Sequence, residues 1–132
     1  MTPAPAPVPD ELQRFILTSI ASVPHLEALL LLRGSPAQQW DIAAVAQRLY
    51  VTERAARKLL DELRAIGALA SAKDDKALTY QYWPRHPELA AMIDQLAACY
   101  AANLVGVTVL IHSKLDKQAQ QFADAFTWRK EP

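Results

Sequence analysis

The sequence predicts a mostly α protein with one small β-hairpin, and three observations carry that expectation. Alanine and leucine dominate while glycine occurs only 3 times in 132 residues, a composition that favours helices over a turn-rich sandwich. Apolar residues recur at steps of three and four along most of the chain, the period of a helix with one buried face. Residues 78–83 differ: Leu78, Tyr80 and Tyr82 alternate with Thr79, Gln81 and Trp83 at a step of two, the period of a strand. Hydrophobic residues make up 52% and aromatics 8%, as in globular proteins. A chain of this length suits one domain and buries roughly two-thirds of its unfolded surface without a disulfide or metal.

The elements follow in order. Residues 1–9 hold four of the nine prolines, which fix φ and remove N–H donors, so they read as a disordered arm. Asp10 can cap a first helix to about Ser22, with Leu12, Phe15, Ile16 and Ile20 on one face. Ser22 can cap a second, with Pro24 in its first turn. Leu26, Leu29, Leu30 and Leu32 make that helix almost wholly apolar and therefore central, and Gly34-Ser35-Pro36 stops it. Asp41 can cap a short third helix over 42–50, with Ile42, Val45, Ala46 and Leu49 inward. Thr52 can cap a fourth running to Ile66, with Ala56, Leu59, Leu60 and Leu63 inward and Gly67 at a left-handed stop. So short a joint between the third and fourth helices makes a helix-turn-helix.

Strands over 68–73 and 77–83 then flank the polar turn Asp74-Asp75-Lys76. A long helix is expected over 88–112, its seam of Leu89, Ile93, Leu96, Tyr100, Val107 and Ile111 filled at one step by Asn103. The β-branched run 105–111 leaves a strand there as the alternative. A last helix starts at Ser113 or Asp116, with Leu115, Ala119, Phe122, Ala123 and Phe126 on one face. The chain thus divides into an arm at 1–9, a helix-turn-helix and hairpin domain at 10–84, and a helical extension at 85–132. That extension carries more apolar surface than one small domain covers and suits dimerisation.

Charge cancels, at 14 basic against 14 acidic residues, and it cancels on both sides of Gly67. Any nucleic-acid binding must come from a local patch, because the whole-molecule field does not supply it. One cysteine, Cys99, excludes an intramolecular disulfide and any multi-cysteine zinc site. No apolar run approaches the ~20 residues of a membrane span, and the N-terminus lacks the regions of a signal peptide, so a cytoplasmic protein without a membrane partner is expected.

From residue 26 to residue 83 the order is helix, short helix, turn, helix, hairpin. The run DIAAVAQRLYVTERAARKLLDELRAIGAL holds an apolar helix, a capped second helix and an apolar lead into the hairpin. This stretch, somewhat under half of the chain, resembles bacterial winged helix-turn-helix transcriptional regulators of the MarR type. The resemblance implies a winged helix-turn-helix core with flanking N-terminal and long C-terminal helices. It implies a homodimer that binds double-stranded DNA in sequence-specific regulation. In such a fold the helix after the turn enters the major groove, its N-terminal residues at base edges.

With Ala56, Leu59, Leu60 and Leu63 inward, the outward positions are Glu53, Arg54, Arg57, Lys58, Asp61 and Arg64. The candidate DNA-binding residues are therefore Thr52, Glu53, Arg54, Arg57 and Lys58 on the helix, with Lys73 and Lys76 on the wing. Arginine can hold guanine through two hydrogen bonds and lysine can meet phosphate. Asp61 and Glu62 come later, at the end that points away from DNA. The short wing departs from the family pattern, since Asp74 and Asp75 sit between its lysines. Gln38, Gln39 and Arg48 are either phosphate contacts or plain surface.

Trp40 is expected to form a third strand of the wing sheet and to pack on the core, and Tyr80, Tyr82 and Trp83 to cover the helices. Cys99 is expected as a small buried residue, since Ala97, Ala98 and Tyr100 give it no charge to lower its pKa. No catalytic set is found: there is no phosphate loop and no nucleophile elbow, and Asp74-Asp75 suits a turn. The chain is therefore read as a non-enzyme without a cofactor or metal. The other function class is a winged-helix module that binds a protein partner and no DNA, favoured by the zero net charge and the acidic wing.

Overall fold

The computed structural model describes residues 7–114. Helices α1 (Asp10–Ser19) and α2 (Val23–Gly34) lead into a short strand β1 (Trp40–Asp41). Helices α3 (Ile42–Leu49) and α4 (Glu53–Ala65) form the helix-turn-helix, followed by the hairpin β2 (Leu69–Lys73) and β3 (Leu78–Tyr82). Two further helices, α5 (Pro87–Ala102) and α6 (Leu104–Lys114), end the described chain. Ser113 lies inside α6 and does not start the last predicted helix; the remainder of that prediction, from residue 115, and the first six residues of the arm lie outside the described residues.

Local capping chemistry sets most boundaries. The Ser22 hydroxyl accepts from the His25 N–H at the start of α2, and Asp41 Oδ1 accepts from the Ala44 N–H at 2.7 Å to start α3. Thr52 Oγ1 accepts from the Ala55 N–H at 3.1 Å and starts α4. Each such cap is worth about 1 kcal/mol. Asp10 does not cap α1: it is the first helical residue after Pro9, and no side chain caps that end. The helix also stops at Ser19, before the predicted Ser22, because Ile20 turns extended and buries its side chain. Just ahead of α1, Val8 packs against the core and its carbonyl accepts from Gln13 Nε2 at 2.8 Å.

The sheet has the order β1-β3-β2 and is antiparallel throughout, with Trp40 opposite Tyr80 and Leu69 opposite Tyr82. Trp40, in β1, is buried as its sequence position suggests, and the Arg48 guanidinium lies over its ring at 5.6 Å, whereas Trp83 is exposed and does not cover the helices. Arg48 is therefore engaged in a cation–π contact. One core joins all the elements: Leu12 and Ile16, then Leu26, Leu29 and Leu32, then Leu59, Leu60 and Leu63, then Ile93, Leu96, Val107 and Ile111.

The predicted single helix over 88–112 is two helices that meet at 113°. Asn103 is the reason. Its backbone N–H closes α5 on the Cys99 carbonyl at 2.7 Å, and its side-chain Oδ1 accepts from the Gly106 N–H at 3.0 Å to open α6. A β-carbon on Gly106 would run into the Asn103 amide, so the glycine lets the cap seat as it does. Residues 105–111 are helical, and the strand alternative does not form. Cys99 is half-buried against the core rather than fully buried. No single described helix is long and apolar enough to cross a membrane.

Two described residues have positive φ, Gly67 at 91° and Tyr50 at 57°. Gly67 is a buried turn under the stem of Arg85, as its glycine suggests. Tyr50 closes α3 in the left-handed region, where a β-carbon costs roughly 1–2 kcal/mol.

Candidate nucleic-acid interface

The face in question is built from α4 and the hairpin. Its inner surface is fixed first: Ala56, Leu59, Leu60 and Leu63 are all buried, which leaves α4 a single rotational setting on the core. A second tether comes from α2. His25 Nε2 lies 3.2 Å from Glu62 Oε2, and its Nδ1 lies 2.6 Å from the Ser22 hydroxyl. The imidazole thus ties the start of α2 to the later half of α4. Nothing in the sequence signals this contact, since its ends are 37 residues apart.

With the helix so set, Glu53, Arg54, Arg57 and Lys58 all stand exposed, as their positions predict. Among the described residues neither Arg54 nor Lys58 makes an ion pair. Arg57 Nε sits 3.6 Å from Asp61 Oδ2, an exposed pair one helical turn apart whose energy is a few tenths of a kcal/mol, about 0.3–0.5. Thr52 is exposed, with its hydroxyl oxygen already engaged by the Ala55 N–H.

Asp61 departs from its predicted outward role. It is half-buried, and the buried Tyr80 donates its phenol O–H to Asp61 Oδ1. This bond joins α4 to the middle strand of the wing. Burial, and then the hydrogen bond to Asp61, push the Tyr80 phenol up to about 12. The step-of-two alternation places Tyr80 inward, but it does not say which helical residue meets it. Next along α4, Arg64 is exposed and donates to the Ser71 hydroxyl at 3.5 Å, a long second link to the wing.

Between helix and wing lies a cleft of about 380 Å³, lined by Arg57, Arg64 and Lys73 together with Asp61, Ser71 and Tyr80. Three cations face one carboxylate there, and that carboxylate is held by Tyr80 and Arg57. The structure thus brings Lys73 beside the helical arginines. Lys76 stands exposed at the hairpin turn and does not line the cleft. Asp74 serves that turn: its Oδ1 accepts from the N–H groups of Lys76 at 2.8 Å and Ala77 at 2.9 Å. Those two donors, Ala77 first, hold its carboxyl below the usual carboxylate range. The acidic character of the wing is therefore partly turn chemistry. Gln38 and Gln39 are exposed at the outer edge of the sheet.

Comparison with solved structures shows the same fold. Reduced HlyU from Vibrio cholerae superposes with a TM-score of 0.52 at 22% identity, over 68% of this chain and 90% of that one. A MarR family protein from Bacillus stearothermophilus gives 0.53 at 14% identity, over 86% of this chain and 83% of that one. The adhesin competence repressor AdcR from Streptococcus pyogenes gives 0.51 at 17% identity, over 93% and 95%. The architecture is the winged helix-turn-helix fold of MarR-like structures, with helices on either side of the winged core. No protein-family model matches the chain, and no curated protein does.

Proposed function

We propose that the protein is a DNA-binding transcriptional regulator that acts as a homodimer, with α4 as its reading helix and no enzymatic activity. One observation carries the reading: the N-terminal half of α4 presents Arg54 and Lys58 without carboxylate partners among the described residues, on a helix whose opposite face is locked into the core. Such cations are available to bases and phosphates. The cleft that joins Arg57, Arg64 and Lys73 extends the positive surface towards the wing. The likeness in fold to a repressor and to a MarR family protein supports the same function class.

The homodimer reading rests on α6. Leu104, Val105 and Val109 are exposed at 53%, 69% and 56%, while Val107 and Ile111 on the opposite side are buried in the core. A second copy covering that stripe would make a symmetric interface. It would also set two reading helices about one DNA turn apart, roughly 34 Å, as paired half-sites require.

The test is genome-wide binding followed by measurement on the recovered site. There, Arg54→Ala is expected to cost roughly 1–3 kcal/mol and to relax preference at one base pair. Lys58→Ala is expected to weaken all sequences alike and to lower the salt slope by about one. If the dimer prefers no sequence over random DNA at low salt, and a protein is captured on the α4 face instead, the protein-interaction reading replaces this one.

A further inference from the structure

Tyr50 stands out on three counts. It has a left-handed backbone, with φ 57° and ψ 43°, which side chains with a β-carbon disfavour. It is 96% exposed, so no packing compensates that conformation. Its hydroxyl makes no hydrogen bond among the described residues. The other left-handed turn, at Gly67, uses the residue that bears such a backbone freely. At position 50 the turn between α3 and α4 holds a large amphipathic side chain that contributes nothing visible to the fold.

Its place gives the chemistry. Tyr50 lies two residues before Thr52, the cap of α4, and so projects from the turn at the end of α4 that carries Glu53, Arg54 and Lys58. A residue of the turn sits at the lip of a groove that the helix enters, beside the sugar-phosphate backbone rather than the base edges. A phenol suits that position, with one O–H donor for a phosphate oxygen and a flat apolar ring for a sugar.

We propose that Tyr50 is a DNA-backbone contact, its O–H donating to a phosphodiester oxygen at the groove lip and its ring lying against the adjacent deoxyribose. This rests on the DNA-binding reading above and adds a residue to it. The contact is independent of sequence, and because a neutral donor displaces no counterion, it leaves the salt dependence of binding unchanged.

The experiment uses the full chain, a labelled duplex of mixed sequence and a salt series. It compares the wild type with Tyr50→Phe, Tyr50→Gly and Lys58→Ala, and thermal unfolding is measured on each. Tyr50→Phe is expected to bind about tenfold more weakly, as for loss of one hydrogen bond to a charged group, with the wild-type salt slope. Tyr50→Gly is expected to bind more weakly still while unfolding at the same or a higher temperature, because glycine relieves the left-handed strain. Lys58→Ala is expected to flatten the salt slope. Wild-type affinity in Tyr50→Phe overturns the hydroxyl contact and leaves the DNA reading intact if Lys58→Ala is still weakened. Tyr50→Phe keeps the ring and the turn, so it decides the matter even if Tyr50→Gly alters the backbone. A wild-type protein that fails to bind the duplex at low salt overturns both readings.

Discussion

The face made by α4 with its wing and the face made by α6 expose opposite chemistry. On α4 the exposed charged positions are Glu53, Arg54, Arg57, Lys58 and Arg64, groups that water solvates well. On α6 the exposed residues include Leu104, Val105 and Val109, groups that water solvates poorly, with the polar His112 and Ser113 only at its far end. Both helices bury their other side in one shared core, so neither face is left over from poor folding. The difference fits the two different partners proposed for these surfaces. A charged face is stable alone and gains by meeting a polyanion, whereas an apolar stripe on a helix gains by being covered.

The largest expected effect breaks the first half of that contrast from beneath. Leu59 is 4% exposed and holds the rotational setting of α4. Leu59→Ala is expected to cost about 2–5 kcal/mol in chemical unfolding, through lost transfer energy plus the cavity left behind. A loss below about 0.5 kcal/mol, the size expected of a surface substitution, would show that α4 is not anchored by this face.

A charge on α6 probes the second half. Val109 is half-exposed in one copy and covered in the proposed dimer, so Val109→Asp is expected to weaken association by about 2 kcal/mol, the order for a buried polar group without a partner. Sedimentation should then show monomer where the wild type is dimer, with the helical content of each chain retained. A wild type that sediments as a monomer at micromolar concentrations removes the contrast, for the stripe would then have no second copy to cover it.

What the sequence revealed differs between the two regions for a physical reason. Around α3, α4 and the hairpin, structure follows from near neighbours: Asp41 and Thr52 cap groups three residues on, Asp74 closes its own turn, and the apolar periods assign each face. Those rules place every candidate cation on the surface. They do not reach contacts between elements, which is why Asp61 reads as a solvated charge although it meets Tyr80, 19 residues away, and why His25 goes unnoticed although it meets Glu62. In the C-terminal region the apolar seam from Leu89 to Ile111 continues across Asn103 with nearly helical spacing. The period alone therefore hides a bend that one amide cap and one glycine create. Both halves of the seam reach the core, and they reach it from different directions.

The smallest effect sharpens how the charged face is held. The buried phenol of Tyr80 donates to Asp61 and joins the wing to α4, and burial, followed by that bond, raises it from 10.0 to about 12. A raised folded-state value means that the folded protein keeps a proton which the unfolded chain releases first. The contribution is thus complete below pH 10 and is lost as pH rises from 10 towards 12. The wild type is therefore expected to lose stability on that alkaline limb more steeply than Tyr80→Phe, which has no proton to lose there. Below pH 10 the variant should run parallel to the wild type, offset by the lost hydrogen bond, about 1 kcal/mol. Unfolding curves at a series of alkaline pH values give both slopes. Equal slopes would mean that the phenol titrates as freely folded as unfolded, and that the wing is held to α4 by the sheet and by Arg64 rather than by the Tyr80–Asp61 bond.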